Sequence, residues 1–159
     1  MFDTEHLSFC KIHPECLLLK YDVAYPEFLR PMSKRKRILF VDDEPSIRLT
    51  LPSVLEENGY EVSTAGSVDE AISKIGMARY DVLLSDLNIS EEGDGFRVVR
   101  AMRSSQPKCL TVIITGYPGF ETAIEGIRQQ VDDYLVKPAD VGALLETLNR
   151  KLAERSPKS

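Results

Sequence analysis

The chain has 159 residues, of which 43% are hydrophobic and 28% charged, with a formal net charge of −5 at pH 7. This length supports one domain with a single sizeable core, and the acidic balance argues against direct binding to nucleic acid. No apolar run approaches the roughly 20 residues that span a bilayer, no signal peptide is recognisable, and the three cysteines form no disulfide framework, so we expect a soluble, cytoplasmic protein without membrane contact.

Residues 1–36 show no hydrophobic periodicity and are interrupted by Pro14, Pro26 and Pro31. We expect an N-terminal extension that is either disordered or the product of a start codon assigned too early. Met32, just before a basic run, is the alternative start.

Both histidines of the chain lie in this extension beside two cysteines, at His6, Cys10, His13 and Cys16. Histidine and cysteine side chains bind zinc, but this spacing matches no common zinc motif and nothing nearby predicts a fold around it. We therefore expect this segment to have no function of its own, and a metal site is the alternative interpretation. The basic run SKRKR (33–37) is interpreted as a solvated flank.

From Arg37 onward, predicted strands and helices alternate. The apolar runs that predict strands are RILFV (37–41), YEVSTA (60–65), DVLLSD (81–86), LTVIIT (110–115) and DYLVK (133–137). The helices are expected at about 46–57, after a capping box at Ser67 and Glu70, around Phe96–Met102, around Phe120–Ile127 and after Asp140. Five such units predict an α/β domain over 37–153, with a parallel sheet covered by helices on both faces. The polar tail, 154–159, is expected to fray.

Chemically active side chains are predicted where four of these strands end. Asp42 and Asp43 follow the first strand, Asp86 ends the third, Thr115 the fourth and Lys137 the fifth. Taken singly, each has an ordinary explanation as a helix cap, a strand residue or a loop residue. Functional residues of an open parallel sheet lie beyond the carboxyl ends of its strands, so we expect these five side chains to converge.

Three neighbouring carboxylates repel one another unless a cation neutralises them. An all-oxygen ligand set favours Mg²⁺ or Mn²⁺, and Mg²⁺ commonly accompanies phosphate chemistry. The ammonium of Lys137 and the hydroxyl of Thr115 are suited to phosphate oxygens. The pattern therefore predicts a site for a divalent cation and a phosphoryl group.

Four segments, VDDEPSIR, LLSDLNI, VIITGY and DDYLVKP, together resemble the receiver domain of two-component response regulators. The resemblance covers about residues 37–153 and implies a flavodoxin-like (βα)5 fold, doubly wound, with strand order 2-1-3-4-5. It implies that Asp86 is the phosphoacceptor, and that the metal is bound by Asp42, Asp43, Asp86 and the backbone carbonyl of Asn88. Thr115 and Lys137 are then expected to contact the phosphate, and Thr115 and Tyr134 to form the switch. Asn88 and Tyr117 are expected to tune the rate of dephosphorylation.

The resemblance also implies a mechanism. A histidine kinase or histidine phosphotransfer protein would supply phosphohistidine, and the Asp86 carboxylate would attack it with help from Mg²⁺ and Lys137. Thr115 would then move to the phosphate and Tyr134 would rotate inward. This would alter the surface of the fourth helix, fifth strand and fifth helix, where an unknown downstream protein or a second copy would bind. Few residues follow Lys137, so we expect a stand-alone receiver that is not an enzyme on a separate substrate.

Two other functions are weighed against this one. A degenerate receiver would act as a phosphorylation-independent protein-interaction module, although all five site residues are present. A haloacid-dehalogenase-like phosphatase would carry an Asp-x-Asp pattern on the first strand, whereas Asp42 and Asp43 are adjacent.

The chain departs from the family pattern in four places. The loop after Asp86 is one residue longer, and Ile89-Ser90 replaces Met-Pro, so we expect a local bulge eased by nearby glycines. Pro52 predicts a kink in the first helix. Gln130 occupies a left-handed helix end that usually favours glycine. Tyr117 is predicted to shield the phosphate.

Overall fold

The computed structural model describes residues 35–138 and 140–155. The histidine and cysteine cluster of the extension, the alternative start and residues 156–159 lie outside this range, so the predictions made for them stay predictions. No helix within the described part of the chain is long and apolar enough to cross a membrane.

Five strands and five helices alternate along the chain. The strands are β1 (Arg37–Val41), β2 (Glu61–Ala65), β3 (Val82–Asp86), β4 (Leu110–Thr115) and β5 (Asp133–Val136). The helices are α1 (Pro45–Glu57), α2 (Val68–Met77), α3 (Asp94–Ser105), α4 (Phe120–Arg128) and α5 (Val141–Arg155). All strand pairs are parallel, and the sheet order is β2-β1-β3-β4-β5. The predicted α/β, flavodoxin-like fold with strand order 2-1-3-4-5 is therefore confirmed.

The sheet buries a separate core on each of its faces. On one face, Leu39 and Leu83 pack beneath α2 and α3. On the other, Phe40 and Leu84 pack beneath α1 and α5. Neighbouring residues of a strand point to opposite faces, so both faces of the central strands need apolar side chains. This explains why the strands read in the sequence as nearly continuous apolar runs.

Helix α1 begins with a proline and contains another. Pro45 occupies its first turn, where the missing N–H costs nothing. Helix α1 continues as one helix through Pro52, which is buried. Because proline has no N–H, the carbonyl of Arg48 lacks its usual helical donor. The kink expected at Pro52 stays a prediction.

The predicted caps are present with one change. The Oγ of Ser67 accepts a hydrogen bond from the backbone N–H of Glu70 at 3.3 Å, as expected. The carboxylate of Glu70 accepts instead from the N–H of Gly66, at 2.8 Å, one residue earlier than a capping box requires. At the start of α5, the Oδ1 of Asp140 accepts from the N–H of Ala143 at 2.8 Å.

Helix α4 ends in the left-handed conformation predicted for Gln130, which has a φ of 56°. The carbonyl of Gly126 accepts from the N–H of Val131 at 3.0 Å, which closes the last turn. A side chain in this conformation costs about 1–2 kcal/mol relative to glycine. The guanidinium of Arg103 donates to the Gln130 carbonyl at 2.5 Å and helps to hold it there.

Candidate functional site

Three carboxylates meet at the carboxyl edge of the sheet. Strands β1 and β3 are neighbours and pair in register up to Val41 and Ser85, which brings the residues that follow them together. Oxygen atoms of Asp42, Asp43 and Asp86 all lie within 4.8 Å of one another. Asp42 is buried, Asp86 is half-buried and Asp43 is exposed, so the cluster opens to solvent on one side.

Lys137 joins two of these carboxylates. Its Nζ lies 2.9 Å from Oδ2 of Asp42 and 2.7 Å from Oδ2 of Asp86, and its backbone N–H donates to the carbonyl of Thr115 at 2.7 Å. Burial alone would lower the pKa of Lys137, but the hydrogen bonds and charges of Asp86 and Asp42 outweigh it and raise the pKa above its usual value. The ammonium therefore stays charged at neutral pH and offsets part of the acidic cluster.

Asp42 is held from two further directions. The backbone N–H of Glu44 donates to its Oδ1 at 2.9 Å, and Arg48 donates from Nη1 to its carbonyl at 2.6 Å. The guanidinium lies so close to Gly66 that a Cβ there would be 3.0 Å from Cζ of Arg48. Arg48 thus links the first acidic loop to the loop after β2, a role that the sequence pattern did not reveal.

The donor set fits a hard divalent cation. Carboxylate oxygens are the ligands that Mg²⁺ and Mn²⁺ prefer, and three of them converge in the described part of the chain. Asn88 lies next to this cluster, and its backbone N–H donates to Oδ1 of Asp86 at 3.3 Å. The backbone carbonyl of Asn88 as a further ligand stays a prediction.

The long loop between β3 and α3 is fastened by its own side chains. The Oδ1 of Asn88 accepts from the N–H of Gly93 at 3.1 Å, and the Oδ2 of Asp94 accepts from the N–H of Glu91 at 3.2 Å. Gly93 precedes α3 with a φ of 81°, in the left-handed region where glycine is favoured. The extra residue is therefore absorbed before the helix, and the three carboxylates remain together.

Position 95 requires glycine because the backbone of Asp86 lies too close to leave room for a side chain. A Cβ at this position would lie 2.2 Å from the backbone oxygen of Asp86, and the Gly95 N–H donates to the carbonyl of Leu87 at 2.8 Å. The first turn of α3 therefore packs directly on the backbone that carries the Asp86 side chain.

Thr115 ends β4, the strand next to the one that carries Asp86, and Tyr117 follows two residues later. Thr115 directly follows Ile114, the residue that pairs with Asp86 across the sheet, and is fully buried. Its Oγ1 accepts from the N–H of Tyr117 at 3.1 Å. The Tyr117 residue is 82% exposed, so shielding a phosphate would require its side chain to move inward.

Tyr134 lies under α4. A Cβ placed on Gly126 would be 3.7 Å from its ring, and the Tyr134 hydroxyl lies 3.0 Å from Oγ1 of Thr122. Thr122 also bonds both backbone groups of Gly119, at 3.0 and 2.8 Å, and so caps the helix. The part played by Thr122 was missed in the sequence, where a threonine in a helical pattern carries no such signal.

A family model described as the response regulator receiver domain matches residues 38–149. The response regulator protein PilR of Pseudomonas aeruginosa is 31% identical over 125 residues, which are 79% of this chain and 28% of PilR. The chain thus spans little more than a quarter of that relative's length.

Solved structures show the same similarity. A CheY-like response regulator receiver domain protein from Methanospirillum hungatei aligns with a TM-score of 0.74 and 29% identity, over 79% of this chain and 99% of that one. A response regulator protein from Burkholderia pseudomallei, solved with a phosphorylated aspartic acid, a calcium ion and citrate, aligns with a TM-score of 0.65 and 28% identity, over 77% of this chain and 75% of that one. This chain belongs to the response regulator receiver domain family of two-component signalling.

Proposed function

We propose that Asp86 accepts a phosphoryl group from the phosphohistidine of a histidine kinase or histidine phosphotransfer protein. The observation that carries this proposal is the contact of Lys137 with both Asp42 and Asp86, at 2.9 and 2.7 Å, beside the third carboxylate. The Asp86 side chain keeps 13% of its surface exposed, and we expect a donor to approach it from that side.

The residues of the chain have distinct parts in this transfer. An oxygen of Asp86 attacks phosphorus in line while the bond from phosphorus to the histidine nitrogen breaks, and the imidazole leaves. Lys137, already hydrogen-bonded to Asp86, stabilises charge on the transferring oxygens. Asp42, Asp43, Asp86 and the Asn88 carbonyl would hold Mg²⁺ or Mn²⁺, which when bound neutralises the carboxylates and the phosphoryl oxygens.

Phosphorylation would change the positions of the two switch residues, Thr115 and Tyr134. Aspartyl phosphate adds about −1.5 to −2 of charge and new acceptor oxygens. The Thr115 hydroxyl turns toward these oxygens, and the Tyr134 ring moves inward, which breaks its hydrogen bond with Thr122. The relative from Burkholderia pseudomallei carries a phosphorylated aspartic acid, which supports this chemistry for the fold.

The output surface is the one formed by α4, β5 and α5. Three apolar residues there are strongly exposed: Phe120 at 82%, Ile127 at 77% and Val136 at 48%. Phe120 and Ile127 stand seven residues apart on α4, so they share one face of that helix. Exposed apolar side chains on a shared face favour a protein partner, so we assign this surface to a downstream protein or to a homodimer. The domain acts on its own aspartate and not on a separate substrate, and we assign it no direct contact with nucleic acid or membrane.

Acetyl phosphate, a small phosphodonor, tests the proposal without the cognate kinase. With Mg²⁺, we expect intact mass spectrometry to show one added phosphoryl group on the wild-type chain and on Asp69→Asn, an exposed control on α2. We expect no addition on Asp86→Asn or in excess chelator. An unmodified wild type that still binds a protein partner would favour a phosphorylation-independent interaction module.

A panel of purified histidine kinases then identifies the donor. We expect one or a few kinases to transfer phosphate to the wild type much faster than the rest, and none to transfer it to Asp86→Asn. Uniformly slow transfer from every kinase would point to a phosphotransfer protein as the direct donor.

The lifetime of the phosphate tests Asn88 and Tyr117. Because Asn88 holds Gly93 through its side chain, we expect Asn88→Ala to change the dephosphorylation rate by loosening the loop. Tyr117→Ala should speed dephosphorylation if the ring closes over the phosphate. An unchanged rate in Tyr117→Ala would exclude the shielding role.

A further inference from the structure

A cleft, which we call the basic cleft, lies at the amino edge of the sheet, opposite the carboxyl edge that carries the three carboxylates. It has a volume of about 490 Å³, within the roughly 300–1,000 Å³ of small-molecule sites. Its walls come from Lys36 before β1, from the residues before β3 and β4, and from the end of α5 at Arg155. The proposed phosphoacceptor site uses none of these residues.

The cleft is positively charged although the chain as a whole is acidic. Among the described residues, four cationic side chains line it, Lys36, Arg79, Lys108 and Arg155. Two carboxylates offset part of this charge: Asp81 of the lining pairs with Lys36, and Asp132 pairs with Arg155. The whole chain, in contrast, has a formal charge of −5. This concentration of charge would attract an anion to the cleft.

Three of the cations are held in place by hydrogen bonds. Lys36 lies 2.9 Å from Asp81, and Arg79 donates to the carbonyl of Ser105 at 3.3 Å. Arg155 donates to the carbonyl of Lys108 at 3.0 Å and also pairs with the carboxylate of Asp132. Part of this charge offsets the carboxyl end of α3. A guanidinium has five N–H donors and an ammonium three, so each of these groups keeps further donors for a ligand.

The floor of the cleft is rigid and uncharged. Gln106 is buried, and its side chain bonds the N–H of Tyr80 at 2.8 Å and the carbonyl of Ala78 at 2.7 Å. Cys109 is also buried, and burial raises the pKa of its thiol to about 12. The thiol is therefore neutral at physiological pH and does not repel an anion. Pro107 and Leu152 complete an apolar side.

We propose that the basic cleft binds an organic phosphate of nucleotide size. Its phosphate groups would contact Arg79, Lys108 and Lys36, and its flat apolar part would lie against Pro107 and Leu152. A cationic rim beside an apolar wall is complementary to a molecule with one charged end and one apolar end. An inorganic anion would leave the apolar wall in contact with water, whereas a volume of about 490 Å³ matches a single small organic molecule.

Calorimetric titration of the full chain with ADP tests this proposal, with chelator present so that no metal links ADP to the acidic edge. We expect a Kd below about 1 mM at low salt. Arg79→Ala combined with Lys108→Ala should weaken binding at least about tenfold, because charge-assisted hydrogen bonds are lost. The control combines Arg128→Ala with Arg150→Ala, two exposed arginines outside the cleft. It removes the same charge and should change the Kd less than about twofold.

Each other outcome overturns the proposal. Absence of ADP binding would do so, as would equal losses in the two double variants, because binding would then follow net charge alone. Pyrophosphate binding as tightly as ADP would show that the apolar wall is not used. Tighter binding of an oligoglutamate peptide would assign the cleft to an acidic protein segment. Acetyl phosphate should modify Asp86 equally in both double variants, so failure here is distinguishable from failure of the proposed function.

Discussion

The hydroxyl of Tyr134 lies 3.0 Å from Oγ1 of Thr122, so the predicted switch tyrosine is hydrogen-bonded to the first turn of α4. The same threonine oxygen bonds the N–H and the carbonyl of Gly119. Any inward movement of the tyrosine therefore removes a partner from the group that caps α4. This links the position of one β5 side chain to the start of a helix on the proposed output surface.

Tyr134→Phe removes only the hydrogen bond between the two side chains. We expect it to lower the free energy of unfolding by about 1 kcal/mol, the usual contribution of one hydrogen bond. Thr122→Val also removes the helix cap and should cost about 1–2 kcal/mol. Urea denaturation of both single variants and the double variant measures the coupling. Strictly additive losses would show that the two hydroxyls do not interact.

Lys137→Met removes the cation shared by Asp42 and Asp86. Without metal, we expect the free energy of unfolding to fall by about 2–3 kcal/mol, because the buried carboxylate of Asp42 and the half-buried carboxylate of Asp86 lose their partner. Mg²⁺ should bind several-fold more tightly than in the wild type, since the ammonium no longer competes for the same oxygens. The rise in melting temperature on adding Mg²⁺ measures this affinity.

The matched control for that variant is Lys151→Met, which removes a lysine 3.2 Å from Asp133, away from the acidic cluster. Its Mg²⁺ affinity should equal that of the wild type. Weaker Mg²⁺ binding in Lys137→Met would contradict the idea that lysine and metal compete.

The sequence pattern predicted the residues placed by backbone topology and missed those placed by side-chain packing. Asp42, Asp86 and Lys137 were predictable because parallel strands bring their carboxyl ends to one edge, whatever the side chains do. Arg48 and Thr122 were not. Their roles depend on how a long side chain crosses to another loop and on where α4 lies over the sheet, and no local pattern carries that information.

The loop after Asp86 illustrates the same limit. Its extra residue and its glycines predicted a bulge that leaves the site intact. The bonds that hold it, from Asn88 to Gly93 and from Asp94 to Glu91, depend on the fold of the whole loop. The sequence pattern therefore could not predict which side chains form the hydrogen bonds that hold the loop.

Gly95→Ala tests the close approach of α3 to Asp86. The added Cβ would lie 2.2 Å from the Asp86 oxygen, so the helix must shift, and we expect a loss of about 3 kcal/mol or more. Gly76→Ala is the control, because a Cβ there meets nothing within 4 Å inside α2. That change should stabilise the domain by about 0.5–1 kcal/mol. Similar effects of the two substitutions in urea denaturation would show that the contact is not tight.

Gln130→Gly should stabilise the domain. Gln130 has a φ of 56°, and glycine adopts this conformation without the steric cost of a side chain. After allowing for the greater freedom of glycine in the unfolded chain, we expect a gain of about 0.5–1 kcal/mol. Gln129→Gly, at a φ of −81°, should instead be neutral or destabilising. Loss of stability in Gln130→Gly would mean that the glutamine side chain contributes more than the strain costs.

Asp94→Asn tests the electrostatics of the long loop. Burial alone would raise the pKa of Asp94, but hydrogen bonds from Arg97 and from the N–H groups of Glu91 and Ser90 outweigh it and hold the pKa below its usual 3.8. The unfolded chain then takes up this proton at higher pH than the folded one. The resulting stabilisation is complete above about pH 4–5 and is lost as pH falls through the lower, folded pKa.

We therefore expect Asp94→Asn to lower the free energy of unfolding at pH 7 by about 1 kcal/mol, and to flatten its fall below pH 4. Urea denaturation at several pH values between 3 and 7 measures both effects. Glu92→Gln is the control, since Glu92 is an exposed acid of the same loop. It should leave the pH dependence close to that of the wild type. If the two variants had the same pH profile, the bonds of Asp94 to Arg97 and Glu91 would contribute no net stability.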